Sequence, residues 1–296
     1  MGKKTSIGGQ AVIEGIAMRG PKVTVLACRL PNGKIDVERF CNKKMWKIFK
    51  LPIVRGFCNM VIMLMDGYKY TNLSMMKSGL YEDDDEGKQG KLHTVFVFLG
   101  TILGVIVSIG LFTYLPQLLT KIFIPAGSNG LRSVVEGVLK IFLMVLYMWL
   151  ISLLKDIKRV FKYHGAEHKT ITCYEKGLDL TPENVMTCSR FHPRCGTSFL
   201  LFTLLISILV SIPLHWEDLI VRMISKLFLV PLIVGISYEV IRIAGKSDGM
   251  LMKVLFAPGM WLQRITTKEP DEKVVEVAIK SLSEVLTHIE VGADNW

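Results

Sequence analysis

Apolar positions form three different patterns along the 296-residue chain. Near the start, residues 23–30 and 34–40 are β-prone runs separated by Pro31-Asn32-Gly33. An Asn-Gly pair between such runs predicts a hairpin, hence a small N-terminal β element. From 45 to 76 apolar residues recur at helical spacing (Phe49, Ile53, Phe57, Met60, Val61, Leu64, Met65), interrupted by Arg55 and Asp66. That pattern fits an amphipathic or interfacial helix better than a clean span. The acidic run 82–86 reads as a solvated linker.

The third pattern is long and continuous. Between Lys91 and Lys121 there is no Asp, Glu, Lys or Arg, and 95–115 is long enough to cross a hydrocarbon layer of about 30 Å as a helix. Residues 134–154 predict a second span, with Glu136 and Lys140 near its start, one turn apart. Residues 198–214 and 219–238 predict a third and a fourth. Arg222 and Lys226 interrupt the last, and are expected to reach the interface at its entry. Beyond Pro270-Asp271-Glu272, the positions Val275, Ala278, Ile279, Leu282, Val285, Leu286 and Ile289 mark a soluble amphipathic helix. There is no internal repeat.

The fold expected is therefore a predominantly α-helical polytopic membrane protein of about four transmembrane helices, with the β element and the amphipathic helix at its two ends. Its segments are 1–44, a Gly-rich loop and hairpin; 45–90, interfacial helices and acidic linker; 91–246, the membrane domain with a cytoplasmic His/Cys segment at 155–197; and 247–296, a helical C-terminal segment.

Composition supports this. Half the residues are hydrophobic and the mean hydropathy is +0.39, which suits an integral membrane protein. The formal charge of +10 comes from Lys and Arg flanking apolar runs rather than interleaved with aromatics, so nucleic acid is not the expected partner. Lys155, Lys158, Arg159 and Lys162 follow the second span and Arg190 and Arg194 precede the third, placing that segment and both termini in the cytoplasm. Six cysteines scattered over this length suit reduced thiols rather than a disulfide framework.

The chemistry concentrates in two clusters. In Tyr163-His164-Gly165-Ala166-Glu167-His168, two imidazoles and a carboxylate share one face of a helix, and His-x-x-Glu-His is the inverted form of a zinc-protease motif. If the second span continues as a helix, Leu153, Ile157, Val160, His164, Glu167, His168 and Ile171 form one stripe. His164 and His168 can hold Zn²⁺ or another divalent metal, with Glu167 as general base toward a metal-activated water. The bland alternative is a hydrogen-bonded juxtamembrane helix.

The second cluster, His192-Pro193-Arg194-Cys195-Gly196-Thr197, supplies Cys195 or His192 as a third ligand, with Cys188 and Glu239 ranked lower. Against these stand buried, inert thiols, a turn capped by His192 and Arg194, or lipid phosphate held by that pair. Near the N-terminus, Gly8 to Pro21 combines glycines with Glu14 and Arg19. It reads as a structural turn or as a loop touching a polar substrate, and Glu14 with Arg19 could form a buried pair. Cys173 is expected to be structural.

Gly9 to Gly15 with Met18 to Pro21, Tyr163 to Thr170, His192 to Phe199 and Pro258-Gly259-Met260-Trp261-Leu262-Gln263 together resemble the YqhQ-like family, domain of unknown function 1385. The likeness covers almost the whole chain, in four blocks in order. It implies a bacterial polytopic inner-membrane protein, regarded as a metal-dependent enzyme, and maps His164, Glu167, His168, His192 and Cys195 to its histidine-rich blocks and Glu14 and Arg19 to its N-terminal block.

The function expected is a metal-dependent membrane enzyme, hydrolytic, with its site at the cytoplasmic surface, Glu167 catalytic, and Glu14, Arg19 and Arg194 facing substrate. Membrane lipid and a further substrate are the expected partners, and a homo-oligomer is compatible. The alternatives are a non-enzymatic scaffold stapled by metal and, behind it, a transporter using Glu136 and Lys140.

Overall fold

The Asn32-Gly33 turn closes the expected hairpin: β3 (Val23–Arg29) pairs antiparallel with β4 (Ile35–Cys41), and Gly33 supplies a positive φ of 82°. The computed structural model describes residues 4–42, 49, 51–79, 89–125, 129–213, 218–244 and 249–289. The acidic run at 82–86 lies outside them.

The glycine-rich block is not a loop. Gly8–Val12 (β1) and Gly15–Arg19 (β2) form a second hairpin that extends the sheet in the order β1-β2-β3-β4. The reason is alternation: Ile16 and Met18 face one side of β2 and Ala17 the other, and all three are buried, so the strand is covered on both faces.

Three layers result. On one face Ile16, Met18, Val25 and Ala27 pack against helix α5 (Lys155–Glu175) and helix α10 (Glu272–Leu286) through Tyr163, Ala166, Val274, Ala278 and Leu282. On the other, Val12, Ala17, Leu26 and Cys28 meet Tyr70 of α1 (Val54–Lys77). Strands β2 and β3 thus share one core with α5 and α10. Asp271 caps α10, accepting from Val274 N at 3.1 Å.

Among the described residues three helices are long and apolar enough to cross a membrane: Leu99–Phe123, Gly130–Ile151 and Ile220–Ile243. The first joins α2 (Gln89–Ile109) to α3 (Leu115–Phe123) through a π turn, so it runs past the expected end at 115. The others belong to α4 (Asn129–Ile151) and α8 (Leu219–Ala244). A fourth apolar helix, α7 (Gly196–Ser211), is shorter at 16 residues. Arg222 and Lys226 do not reach outward as expected; both are buried against Glu136.

Helix α4 does not continue into the helix that carries the histidines either. Ser152 turns its hydroxyl back to Trp149 O at 2.6 Å, Leu154 is extended with ψ 137°, and α5 starts afresh at Lys155. The break frees α5 to lie against β1 and α10. Two further helices complete the description: α6 (Pro182–Thr187), and α9 (Met250–Thr266), which packs on α7 through the edge-on pair Phe202–Phe256.

Candidate metal centre

Helix α5 carries His164, Glu167 and His168 at positions i, i+3 and i+4, so all three share the side turned into the protein. The stripe read from the sequence holds from Ile157 onward although the helix begins later than expected. Gly165 lets the segment after α9 approach: a Cβ there would stand 2.1 Å from Lys268 O. That approach is fixed by Lys268 N donating to Phe161 O at 2.9 Å.

The close segment orients the first imidazole. His164 Nδ1 lies 2.9 Å from Thr266 O, and His168 Nδ1 lies 2.6 Å from Arg190 O. A carbonyl only accepts, so both Nδ1 atoms carry the proton and both Nε2 atoms become the ligand positions. This is the arrangement in which protein carbonyls fix metal-binding histidines. The rings stand edge to face with centroids 4.4 Å apart.

Cys195 comes from the residue just before α7 and caps it: Thr197 N and Oγ1 lie 3.5 and 3.3 Å from its sulfur. The sulfur is also 3.3 Å from His164 Nε2. Burial opposes ionisation of this thiol, but His164 and His168 hold it well below its usual range. Burial likewise opposes charge on His164, yet Cys195 beside it raises its pKa to about 9. Among the described residues, His164, His168 and Cys195 form the one group able to hold a metal ion, their ligand atoms all within 4.8 Å of one another.

Glu167 completes the cluster. It is buried, and burial raises its pKa despite the attraction of His168 and His164. Gly9 N donates to it, but Oε2 has no hydrogen-bond partner. A Cβ on Gly9 would sit 2.7 Å from the Glu167 side chain, so this glycine is what lets β1 close over the carboxylate. Orphaned buried carboxylate oxygens are rare and mark places where another group belongs.

The remaining candidates stand apart from this group. His192 lies next to it, 5.8 Å from His168 between ring centroids, but its Nε2 donates to Glu175 Oε2 at 3.2 Å. Arg194 bonds the same carboxylate and Thr5 O, which braces the loop. Burial opposes ionisation of Glu175, but His192 and Arg194 carry it down to about 2. Cys188 and Cys173 belong to the hydrophobic core, as expected for Cys173. Glu239 pairs with Arg55. Glu14 and Arg19 do not pair: Arg159 and Tyr163 hold Glu14, while Arg19 reaches Asp66 at 2.9 Å. Charge complementarity explains that outcome, because α5 brings Arg159 to the turn where Glu14 sits at φ 50°.

Several residues that build the site were not singled out by sequence reasoning. Gln263 of α9 exchanges two hydrogen bonds with the His192 backbone, Thr266 and Arg190 act through their carbonyls, and Glu175 anchors the loop before Cys195. Gln263 ends one of the four sequence blocks, which was the available signal; backbone carbonyls leave none.

The donor set fits a borderline divalent cation such as zinc. Two imidazole nitrogens and a thiolate are its preferred ligands, and bonds of about 2.0–2.3 Å separate tetrahedral donors by about 3.3–3.7 Å. A small inward movement from the observed spread meets that requirement. Three protein donors also leave a position open, on which the free Oε2 of Glu167 can act.

The chain is mainly helical, with apolar helices, a small antiparallel sheet and this His/His/Cys group, and a family model matches it. The chain belongs to the family described as "Protein of unknown function (DUF1385)", which matches residues 51–288. It is 38% identical over 291 residues to the "Uncharacterized protein YqhQ" of Bacillus subtilis (strain 168), covering 94% of this chain and 92% of that protein. No solved structure matches.

Proposed function

We propose that the chain is a metal-dependent hydrolase of the bacterial cytoplasmic membrane, with four spans, both termini in the cytoplasm and its active site at the inner surface. The observation that carries this is the convergence of His164, His168 and Cys195 beside a buried carboxylate whose Oε2 has no partner. The order of the apolar helices supports the topology: α4 leads into α5, Cys195 leads into α7, and α8 leads toward α9, so the site lies beside three ends on one side. Exposed Lys155 and Lys158 at that side agree with a cytoplasmic assignment.

His164, His168 and Cys195 would hold Zn²⁺ through both Nε2 atoms and Sγ. The chemistry supplied by an ion bound there is Lewis acidity toward an oxygen on the open side. Glu167 Oε2 takes the proton of the attacking water and returns it to the leaving group, a role suited to a carboxyl whose pKa burial has raised. Thr266 O and Arg190 O keep the imidazoles in the required tautomer, and β1 shuts the carboxylate away from bulk water. The partly buried edge of His164 is where a substrate enters, from the cytoplasm or the inner leaflet.

A metal staple without catalysis would need a closed four-ligand sphere, and His192, the nearest further imidazole, is committed to Glu175. The test is Glu167→Gln in protein reconstituted with zinc. Retained metal with hydrolysis of a lipid or peptide ester library abolished supports the reading; turnover equal to that of the unaltered chain refutes it.

A further inference from the structure

Four charged side chains meet among the apolar helices, far from the metal centre. Helix α7 starts beside Cys195 and ends at Ser211, whose carbonyl accepts from Ser133 Oγ at 3.0 Å. Its length separates the two places by about 23 Å. At this far end Glu136 is 1% exposed and fully engaged: Lys226 bonds both carboxylate oxygens, Lys140 approaches Oε1 at 2.7 Å and Arg222 approaches Oε2 at 3.1 Å.

The charges do not balance. Among the described residues three cations surround one carboxylate, leaving two surplus positive charges in a low-dielectric setting where an uncompensated ion is strongly unfavourable. Asp218, at the start of α8, is exposed and occupied in capping Val221 N at 2.8 Å. Donors also remain to spare. Arg222 Nε is buried without an acceptor, and a small cavity beside the cluster is lined by Ser133, Lys140, Ser207 and Lys226 among others.

Guanidinium, ammonium and hydroxyl donors converging from three helices suit a tetrahedral oxyanion better than a spherical or planar one. The depth suits a lipid phosphate, since Ser133, Ser211 and Arg222 all lie within a turn or two of helix ends. We propose that the surplus positive charge around Glu136 binds a phosphate group, carried by an anionic lipid or free in solution. This site is independent of the metal centre, and its test is run on metal-stripped protein, so failure of one reading leaves the other standing.

Full-length protein in neutral detergent is titrated with phosphatidylglycerol in phosphatidylcholine mixed micelles and, separately, with inorganic phosphate, following ³¹P resonance shifts. Saturable binding of one equivalent is expected. Arg222→Gln should weaken it by about tenfold or more, whereas Glu136→Gln, which removes the competing carboxylate, should tighten it. Lys140→Gln, at the more open rim, replaces Arg222→Gln should the latter fail to fold, and is also expected to weaken binding. Binding of phosphatidylglycerol alone assigns a lipid headgroup; binding of inorganic phosphate assigns the free ion. No saturable binding of either probe, or binding indifferent to these substitutions, overturns the proposal.

Discussion

Gln263 and His192 are joined by two hydrogen bonds between one side-chain amide and one backbone residue: His192 N donates to Oε1 and Nε2 donates to His192 O, each at 2.8 Å. Gln263 is fully buried, so α9 holds the loop that presents Cys195 by a contact with no water to replace it. Gln263→Leu keeps the volume but leaves a buried N–H and C=O unsatisfied. A loss of about 2–4 kcal/mol in stability is expected, with zinc affinity down by about 10–100-fold. Chemical denaturation and a competitive zinc titration measure the two effects.

The cap and the ligand at Cys195 separate by substitution. Cys195→Ser keeps an N-cap acceptor, since serine is a good one, but replaces a thiolate with a poor metal donor. Stability without metal should change by less than about 0.5 kcal/mol, while zinc affinity falls on the order of 100-fold or more. A large stability loss in chelator-treated protein would instead give the sulfur a packing role.

Gly9 acts on Glu167 twice, by donating its N–H to the carboxylate and by leaving the space that the side chain fills. Gly9→Ala places a methyl 2.7 Å from the Glu167 side chain, which must displace the carboxylate or β1. Hydrolytic turnover should drop by about 10²-fold, the cost of a misplaced catalytic group, with zinc stoichiometry unchanged. Metal analysis and activity of the same preparation check this.

Acid stability should reflect Glu175. Its pKa is lowered from the ordinary 4.5 to about 2, so its contribution is fully present above the unfolded value and is lost as pH falls from about 4.5 through 2. The difference corresponds to about 3 kcal/mol. Glu175→Gln should remove most of that acid-dependent loss, seen as a flatter stability curve between pH 5 and pH 2.5. Unfolding midpoints compared across that range decide it.

Local patterns in the sequence carried the β3–β4 hairpin, the Asp271 cap, the apolar helices and the shared face of His164, Glu167 and His168, because each depends on neighbours within about a turn. What depended on distant partners was not legible. The glycine-rich block became strands because α1 and α5 cover both faces of β2. Arg222 and Lys226 turned inward because Glu136, some ninety residues earlier, is there to meet them. Glu14 found Arg159 rather than Arg19 for the same reason. Of the proposed ligands, the sequence left Cys195 and His192 level, since what separates them is Glu175 taking His192.

X-ray absorption at the zinc edge, on full-length protein loaded with one equivalent of zinc and washed, reads the central claim directly. Two imidazole nitrogens, one sulfur and one further light atom around the metal are expected, with the sulfur contribution vanishing in Cys195→Ser. Failure to retain zinc, or a retained ion with no sulfur neighbour, would contradict the account.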